Sequence, residues 1–224
     1  MITKHILRGG IIMEIKDFCS FCDFDDEKTI YETENFKVVS AVGQITEGYS
    51  LIMPKDHYHC IGALPENYQK EYIALKNKIR SALEKIYGAC IFYEHGRVGY
   101  CNVQPGEQLC YHGHTHAVPL NVNLYESLVS DGLVPVKLSD PGEIFNKYST
   151  LGHYLYFEDN DSNAYMFQIT HPIPRQYLRK LTANAIGKPE LADWSKYPER
   201  EKMLRTVKKI QEVLEVNPKS WTLY

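Results

Sequence analysis

The sequence predicts an α+β protein, an antiparallel sheet of about five strands with one helix across it, followed by a helix and hairpin extension after residue 120. Short β-rich runs outnumber helical ones in the first half, one stretch from 65 to 87 keeps an unbroken helical period, and the pattern changes character beyond Leu120.

Thr29 to Glu32 and Phe36 to Val42 read as strands joined by a turn at Glu34-Asn35, and Tyr49 to Met53 as a third strand stopped by Pro54. From Pro65 to Tyr87, the residues Tyr68, Tyr72, Leu75, Ile79, Leu83 and Ile86 recur at three and four and so share one helix face. Proline in the first turn and Gly88 after the last set its ends. Ala89 to Tyr93 reads as a strand, Gly96 to Cys110 as a Gly- and Pro-containing loop, and residues 111–120 as a further strand. Beyond these come a short helix from Leu124 to Ser130 and a segment marked by Pro and Gly. A hairpin of Tyr154 to Phe157 with Tyr165 to Ile169 follows, then helices from Pro174 to Ile186 and from Pro198 to Val216. The expected division is a tail over 1–13, with Met13 as a candidate first residue, a core domain over 14–120, and an extension over 121–224 that packs on the core.

At 224 residues the chain can bury a sizeable core. A formal net charge of -3 excludes a broad electrostatic grip on nucleic acid or anionic membrane, while leaving room for a small cationic site and phosphate-bearing small molecules. No apolar run is long enough to span a bilayer and the start has no secretory pattern, so the expected location is the cytoplasm. The six cysteines are then read as thiols rather than disulfides.

The chemistry concentrates in His112-Gly113-His114-Thr115-His116-Ala117-Val118. A strand alternates its side chains, so all three imidazoles are expected to point the same way. Free imidazole titrates near pH 6.5, and such a row can offer a nucleophile, a proton carrier and a metal ligand together. The intervening Gly, Thr and Ala, and the run into Val118-Pro119-Leu120, do not suit a solvated polar strand. A second cluster is Cys19-Ser-Phe-Cys22, whose spacing lets both thiolates reach one tetrahedral zinc. The other ligands must come from elsewhere, and His57, His59, Cys60 and the first His of the triple are the candidates. A redox role is the rival, but Asp23, Asp25, Asp26 and Glu27 crowd the pair with negative charge that would raise the thiol pKa.

Cys19-x-x-Cys22, then Gly48-Tyr49-Ser50-Leu51-Ile52-Met53-Pro54-Lys55-Asp56-His57, then His112-x-His114-x-His116, taken together, resemble the histidine-triad (HIT) nucleotide hydrolase and transferase superfamily over about residues 15 to 120. The resemblance implies a HIT-like sheet and a structural zinc on Cys19, Cys22, His57 and His112, with His59 as the fallback third ligand. It implies that His114 attacks an α-phosphorus and is transiently nucleotidylated, and that His116 holds phosphate oxygens or passes a proton. It also implies a nucleotide or nucleotide-conjugate substrate and a homodimer. Three departures stand out. Ser40 occupies the position nearest to an acidic residue that holds ribose hydroxyls. Glu107-Gln108-Leu109-Cys110 replaces the common Gly-Gln-Ser-Val, although Gln108 can still contribute. Gly113 and Thr115 replace the usual hydrophobic spacers.

Phe92-Tyr93-Glu94-His95-Gly96 is similar to a Phe-Glu-His-Gly segment of some bacterial HIT-like proteins, which makes Glu94 and His95 candidates for substrate contacts or for a strand-end ion pair. Asn102 matches a family Asn that meets phosphate or leaving group. Lys55 and Arg97 could balance phosphate charge but also suit solvated surface. Gln176-Tyr177-Leu178-Arg179 and Trp194-x-x-Tyr197-Pro198 resemble the C-terminal part of the same subset. This segment reads either as a substrate-selecting lid or as a packing appendage, with Arg175 and Arg179 four apart on one helix turn. The expected activity is release or transfer of a nucleoside monophosphate from a phosphoanhydride or phosphoramidate. The alternatives are a non-catalytic, zinc-stabilised nucleotide sensor and a hydrolase using His-x-His as a catalytic metal pair, for which the chain offers too few strands before the motif.

Overall fold

The structure, a computed structural model, describes residues 6–7, 10–11, 19, 21–22, 26–96 and 112–215. Within the expected tail, β1 (Ile6–Leu7) and β2 (Gly10–Ile11) pair antiparallel. The main sheet has eight strands rather than five: β3 (Thr29–Glu32), β4 (Phe36–Ser40), β5 (Ser50–Pro54), β6 (Ile91–Gly96), β7 (Thr115–Val118), β8 (Val134–Leu138), β9 (Tyr154–Glu158) and β10 (Ala164–Gln168). Their spatial order is β3-β4-β5-β7-β6-β9-β10-β8, and every pairing is antiparallel.

The predicted long helix is α1 (Glu66–Tyr87), entered through Pro65 and closed by Gly88 in the left-handed conformation at φ 82°, which glycine adopts without a Cβ clash. Its buried face is Tyr72, Leu75, Lys76, Ile79, Ala82 and Leu83. These residues pack on Val38, Ile52, Phe92 and Tyr156 of the sheet, together with Ile144 from α3 (Ile144–Leu151) and Ile210 from α5 (Arg200–Val213). The opposite face of the sheet, with Val39, Leu51, Tyr93, Leu155 and Phe157, is covered by Leu128 of α2 (Tyr125–Ser130) and by Tyr177, Leu178 and Ala183 of α4 (Tyr177–Ala185). Each fully buried Leu, Ile or Phe of these two layers contributes about 2 kcal/mol by leaving water.

The described residues beyond 120 do more than pack on the core, because β9 pairs along β6 from Phe92↔Glu158 to Gly96↔Tyr154 and extends the same sheet. A buried ion cluster ties the halves together: Glu158 of β9 accepts from Lys76, from Arg80 at 2.8 Å and from the Tyr156 hydroxyl. The expected hairpin is present as β9 and β10, whereas β8 and α3 lie where only a Pro- and Gly-marked segment is expected. β8 is an edge strand with a mostly unburied pattern and Pro135 within it, so neither alternation nor β propensity marks it.

Candidate functional site

The histidine run is not one continuous strand. β7 begins at Thr115, so His116 is the one histidine of the three on it, while His112 and His114 sit in the approach to it. The reason is Gly113. Its N–H donates to the Tyr58 carbonyl at 2.6 Å, and an added Cβ would lie 2.6 Å from Cys60 Cα. A residue without a side chain is therefore what lets the approach to β7 lie backbone to backbone against the 58–60 segment, which His57 immediately precedes. Thr115 points to the α1 face and its hydroxyl hydrogen-bonds the Tyr72 hydroxyl at 2.7 Å. Both unusual spacers thus have structural tasks.

That docking brings the four expected metal ligands together. The ligand atoms of Cys19, Cys22, His57 and His112 all lie within 4.8 Å of one another. Cys22 Sγ is 3.4 Å from His57 Nδ1 and 3.6 Å from His112 Nδ1, and Cys19 Sγ is 3.7 Å from His112 Nδ1. A tetrahedral ion with ordinary Zn–S and Zn–N bonds places S and N about 3.6 Å apart. The tautomer also fits: His112 Nε2 faces the Pro54 carbonyl at 2.8 Å, and a carbonyl only accepts, so Nε2 carries the proton and Nδ1 presents its lone pair to the thiols. Burial, with lesser effects from His57 and His114, pushes the His112 pKa down to about 4 and keeps the ring neutral. His57 rather than His59 supplies the fourth ligand atom; His59 stands edge-on to it at 5.8 Å.

His114 shows the same logic in mirror image. Its Nδ1 meets the His112 carbonyl at 2.8 Å, so Nδ1 holds the proton and Nε2 is bare. Burial lowers its pKa, opposed by that hydrogen bond. The His116 ring is 4.7 Å from it, stacks on Tyr93 at 4.6 Å, and places Nδ1 2.6 Å from the Tyr49 hydroxyl, which in turn lies 2.9 Å from that of Tyr93. The His116 pKa is held well below 6.5, chiefly by burial and then by the charges of His114, Arg179 and His95. His95 belongs to the same electrostatic group. Its own pKa falls to about 4, by burial first and then through His114 and His153.

Other expected site residues are placed elsewhere. Glu94 follows Tyr93 on β6 and so points to the α1 face, where it is fully buried and accepts from Ile61 N–H and the Tyr154 hydroxyl, both at 2.7 Å. It is an internal tie on the face of the sheet opposite His116. The Ser40 hydroxyl donates to the Met203 carbonyl of α5 at 3.1 Å and accepts from Gln44, so it anchors a helix rather than meeting a ribose. Lys55 is occupied by the Thr33 carbonyl and Glu32. Arg175 lines a groove of about 610 Å³ between α4 and the turn at Pro189–Ala192, away from the triad. Asn102, Gln108 and Arg97 lie outside the described residues.

Phe21 and Tyr49 belong to the site without having been anticipated there, and Arg179, read from the sequence on one helix turn with Arg175, belongs to its wall. Phe21, between the two cysteines, stacks on His114 at 4.9 Å and 25°. Tyr49 holds His116, and its spacing of two from Leu51, the register partner of His116, was the available signal. Arg179 on α4 is buried, donates to the carbonyls of Gly43 and Leu191, and lies 5.2 Å over the Tyr49 ring, which makes it part of the wall of the site and leaves no phosphate grip on the surface.

No protein-family model matches the chain, and no curated protein matches it. Among solved structures, a HIT family protein from Bacillus anthracis is 25% identical, covering 46% of this chain and 73% of its own at a TM-score of 0.38. A Zn-bound histidine-triad family protein from Mycobacterium smegmatis is 24% identical, covering 46% and 76% at 0.36. A HIT family member from Bacillus subtilis is 20% identical, covering 60% and 95% at 0.39. Over about half its length the chain is thus similar to proteins described as histidine-triad, the family that its own motifs resemble.

Proposed function

We propose that the chain is a histidine-triad nucleotide hydrolase or nucleotidyltransferase that works through a nucleotidyl-His114 intermediate. The observation that carries this reading is the His114 tautomer. With Nδ1–H committed to the His112 carbonyl, the bare Nε2 of a neutral ring is available to an α-phosphorus. In the first half-reaction Nε2 forms a bond to phosphorus while the bond to the leaving group breaks, the electron pair departing with that group. In the second, an acceptor attacks phosphorus, the N–P pair returns to Nε2, and the acceptor's proton passes to His116. Water as acceptor gives a hydrolase, phosphate a phosphorylase, a sugar phosphate a transferase.

Cys19, Cys22, His57 and His112 would hold zinc, a four-ligand set that supplies rigidity and no open position for catalysis. Because His112 is a ligand and Phe21 lies between two ligands, that centre would brace His114 on two sides. The substrate is a nucleotide or nucleotide conjugate, and the assembly a homodimer, which sedentary mass in solution, as by light scattering, would check. No helix among the described residues is long and apolar enough to cross a membrane.

The test is intact-mass analysis of the full chain after mixing with dinucleoside polyphosphates, nucleotide sugars and adenosine phosphoramidate, quenched without acid. A nucleotidyl mass shift in the wild type that is lost in His114→Asn supports the reading. Tight nucleotide binding with neither shift nor product replaces it with the non-catalytic sensor, which the diversion of Ser40 to α5 would favour.

A further inference from the structure

The segment 41–49 joins β4 to β5 and ends on Tyr49, whose hydroxyl lies 2.6 Å from His116 Nδ1. Helix α5 grips this segment through a closed set of buried hydrogen bonds. The Gln44 side chain holds both backbone polar groups of Tyr49: its Nε2 donates to the Tyr49 carbonyl at 2.7 Å, and its Oε1 accepts from the Tyr49 N–H at 3.2 Å. One amide thus does for Tyr49 what a neighbouring strand does for the residues of β5. Nε2 also donates to the Ala41 carbonyl at 2.8 Å.

Thr206 of α5 sets that amide in place. Gly48 N–H, which can only donate, gives its hydrogen to Thr206 Oγ1 at 2.7 Å, and Thr206 Oγ1 donates in turn to Gln44 Oε1 at 2.9 Å. Two carbonyls beside one end of the amide and two donors beside the other admit a single orientation of Gln44. The Ser40 hydroxyl, 3.1 Å from Gln44 Nε2, closes the set by donating to the Met203 carbonyl of α5. Gln44 and Thr206 are fully buried, so a lost partner is not replaced by bulk water. Tyr49 is fully buried too, and a tyrosine has two side-chain torsions, so the placing of its backbone decides where its hydroxyl stands.

We infer that Gln44 and Thr206 are positioning residues for His116: they fix the backbone of Tyr49, and Tyr49 carries that placement to the third histidine. This deepens the proposed function, on which the catalytic meaning of His116 rests. The link crosses the sheet, since α5 packs with α1 over one face while Tyr49, Leu51 and Tyr93 belong to the other. Helix α5 thereby acts on the site from the opposite side of the sheet.

The experiment is NMR of the full, zinc-loaded chain carrying ¹⁵N-histidine, with the His116 ring signals assigned by their loss in His116→Gln. Thr206→Val keeps the shape and removes both hydrogen-bonding functions; it should shift the His116 ring signals while those of His57 and His171 stay in place. Thr206→Ser, which restores the hydroxyl, should return the wild-type spectrum. In a Tyr49→Phe background, where the last hydroxyl of the link is gone, adding Thr206→Val should leave the His116 signals unmoved. Unchanged His116 signals in a folded Thr206→Val chain overturn the inference, as do equal shifts of all the histidines or an effect that survives Tyr49→Phe. If Thr206→Val does not fold, Gln44→Met decides by the same signals, because Tyr49 there keeps its bonds to the Ala41 N–H and the Thr46 carbonyl. Failure of both variants to fold also overturns it, since the network would then serve the fold as a whole. Because this readout needs no turnover, its failure is separable from failure of the nucleotidyl-adduct test.

Discussion

Replacing Glu94 with Gln should change how stability depends on pH, because Glu94 is a carboxyl buried between Ile61 N–H and the Tyr154 hydroxyl, with no cation among its contacts. Burial lifts its pKa from 4.5 to about 7, outweighing the two hydrogen bonds that act in the opposite direction. The folded state therefore binds this proton more tightly than the unfolded chain does. Between 4.5 and about 7 the native protein carries more protons, so the Glu94 contribution to stability falls as pH rises through that window and stays low above it. At about 1.4 kcal/mol per pH unit, the gap amounts to about 3 kcal/mol. Glu94→Gln removes the titration while keeping the shape. Any hydrogen bond it loses gives an offset independent of pH, so the informative quantity is the change in the difference between the two proteins. Urea unfolding of both, at fixed zinc, from about pH 5 to about pH 8 should show the variant gaining about 3 kcal/mol on the wild type. A flat difference would refute the reasoning and would mean that the carboxylate is solvated or paired.

Two further substitutions probe the metal centre and its docking. Cys22→Ser removes the thiol that stands within 3.6 Å of two histidine ligands, and zinc affinity measured by competition with a chromophoric chelator should fall by more than the roughly 100-fold that loss of an outer hydrogen-bond partner costs; wild-type affinity would contradict the assignment. Gly113→Ala sets a methyl 2.6 Å from Cys60 Cα, where backbone must move, so it should destabilise by about 1–3 kcal/mol in urea and weaken zinc retention, while an unchanged midpoint would show that the close approach is not required.

What was legible in the sequence was chemistry with a fixed spacing. Two cysteines three apart, a histidine just past a proline-ended strand and a triple of alternate histidines are local patterns that carry the resemblance, and the structure gathers Cys19, Cys22, His57 and His112 as that resemblance implies. The long helix was legible for the same reason, through a repeat of three and four closed by Gly88. What failed were inferences that need to know which face a side chain takes in three dimensions. Glu94 looks like a site acid because it adjoins His95, yet alternation on β6 sends the two to opposite sides of the sheet. Lys76 lies on the buried face of α1 and its ammonium finds Glu158, 82 residues away, a pairing that no local pattern carries. Gly113 looks like a weak point in a strand, although its lack of a side chain is what the neighbouring backbone demands.

The same long-range logic explains why the second half of the chain cannot be an optional appendage. Ended at residue 120, the chain would leave β6 as an exposed edge, with the N–H and C=O groups that now pair with β9 open to water or to another strand. Phe92 and Tyr93, both buried, would lose their cover on that side. Tyr93 is also the ring on which His116 stacks and the hydroxyl that meets Tyr49, so loosening the edge would loosen the third histidine directly. β7 lies between β5 and β6, and β6 is flanked in turn by β9, so the strand that carries His116 is braced on one side by residues beyond 120 acting through β6. A well-held His116 and a closed sheet edge thus depend on the same segment.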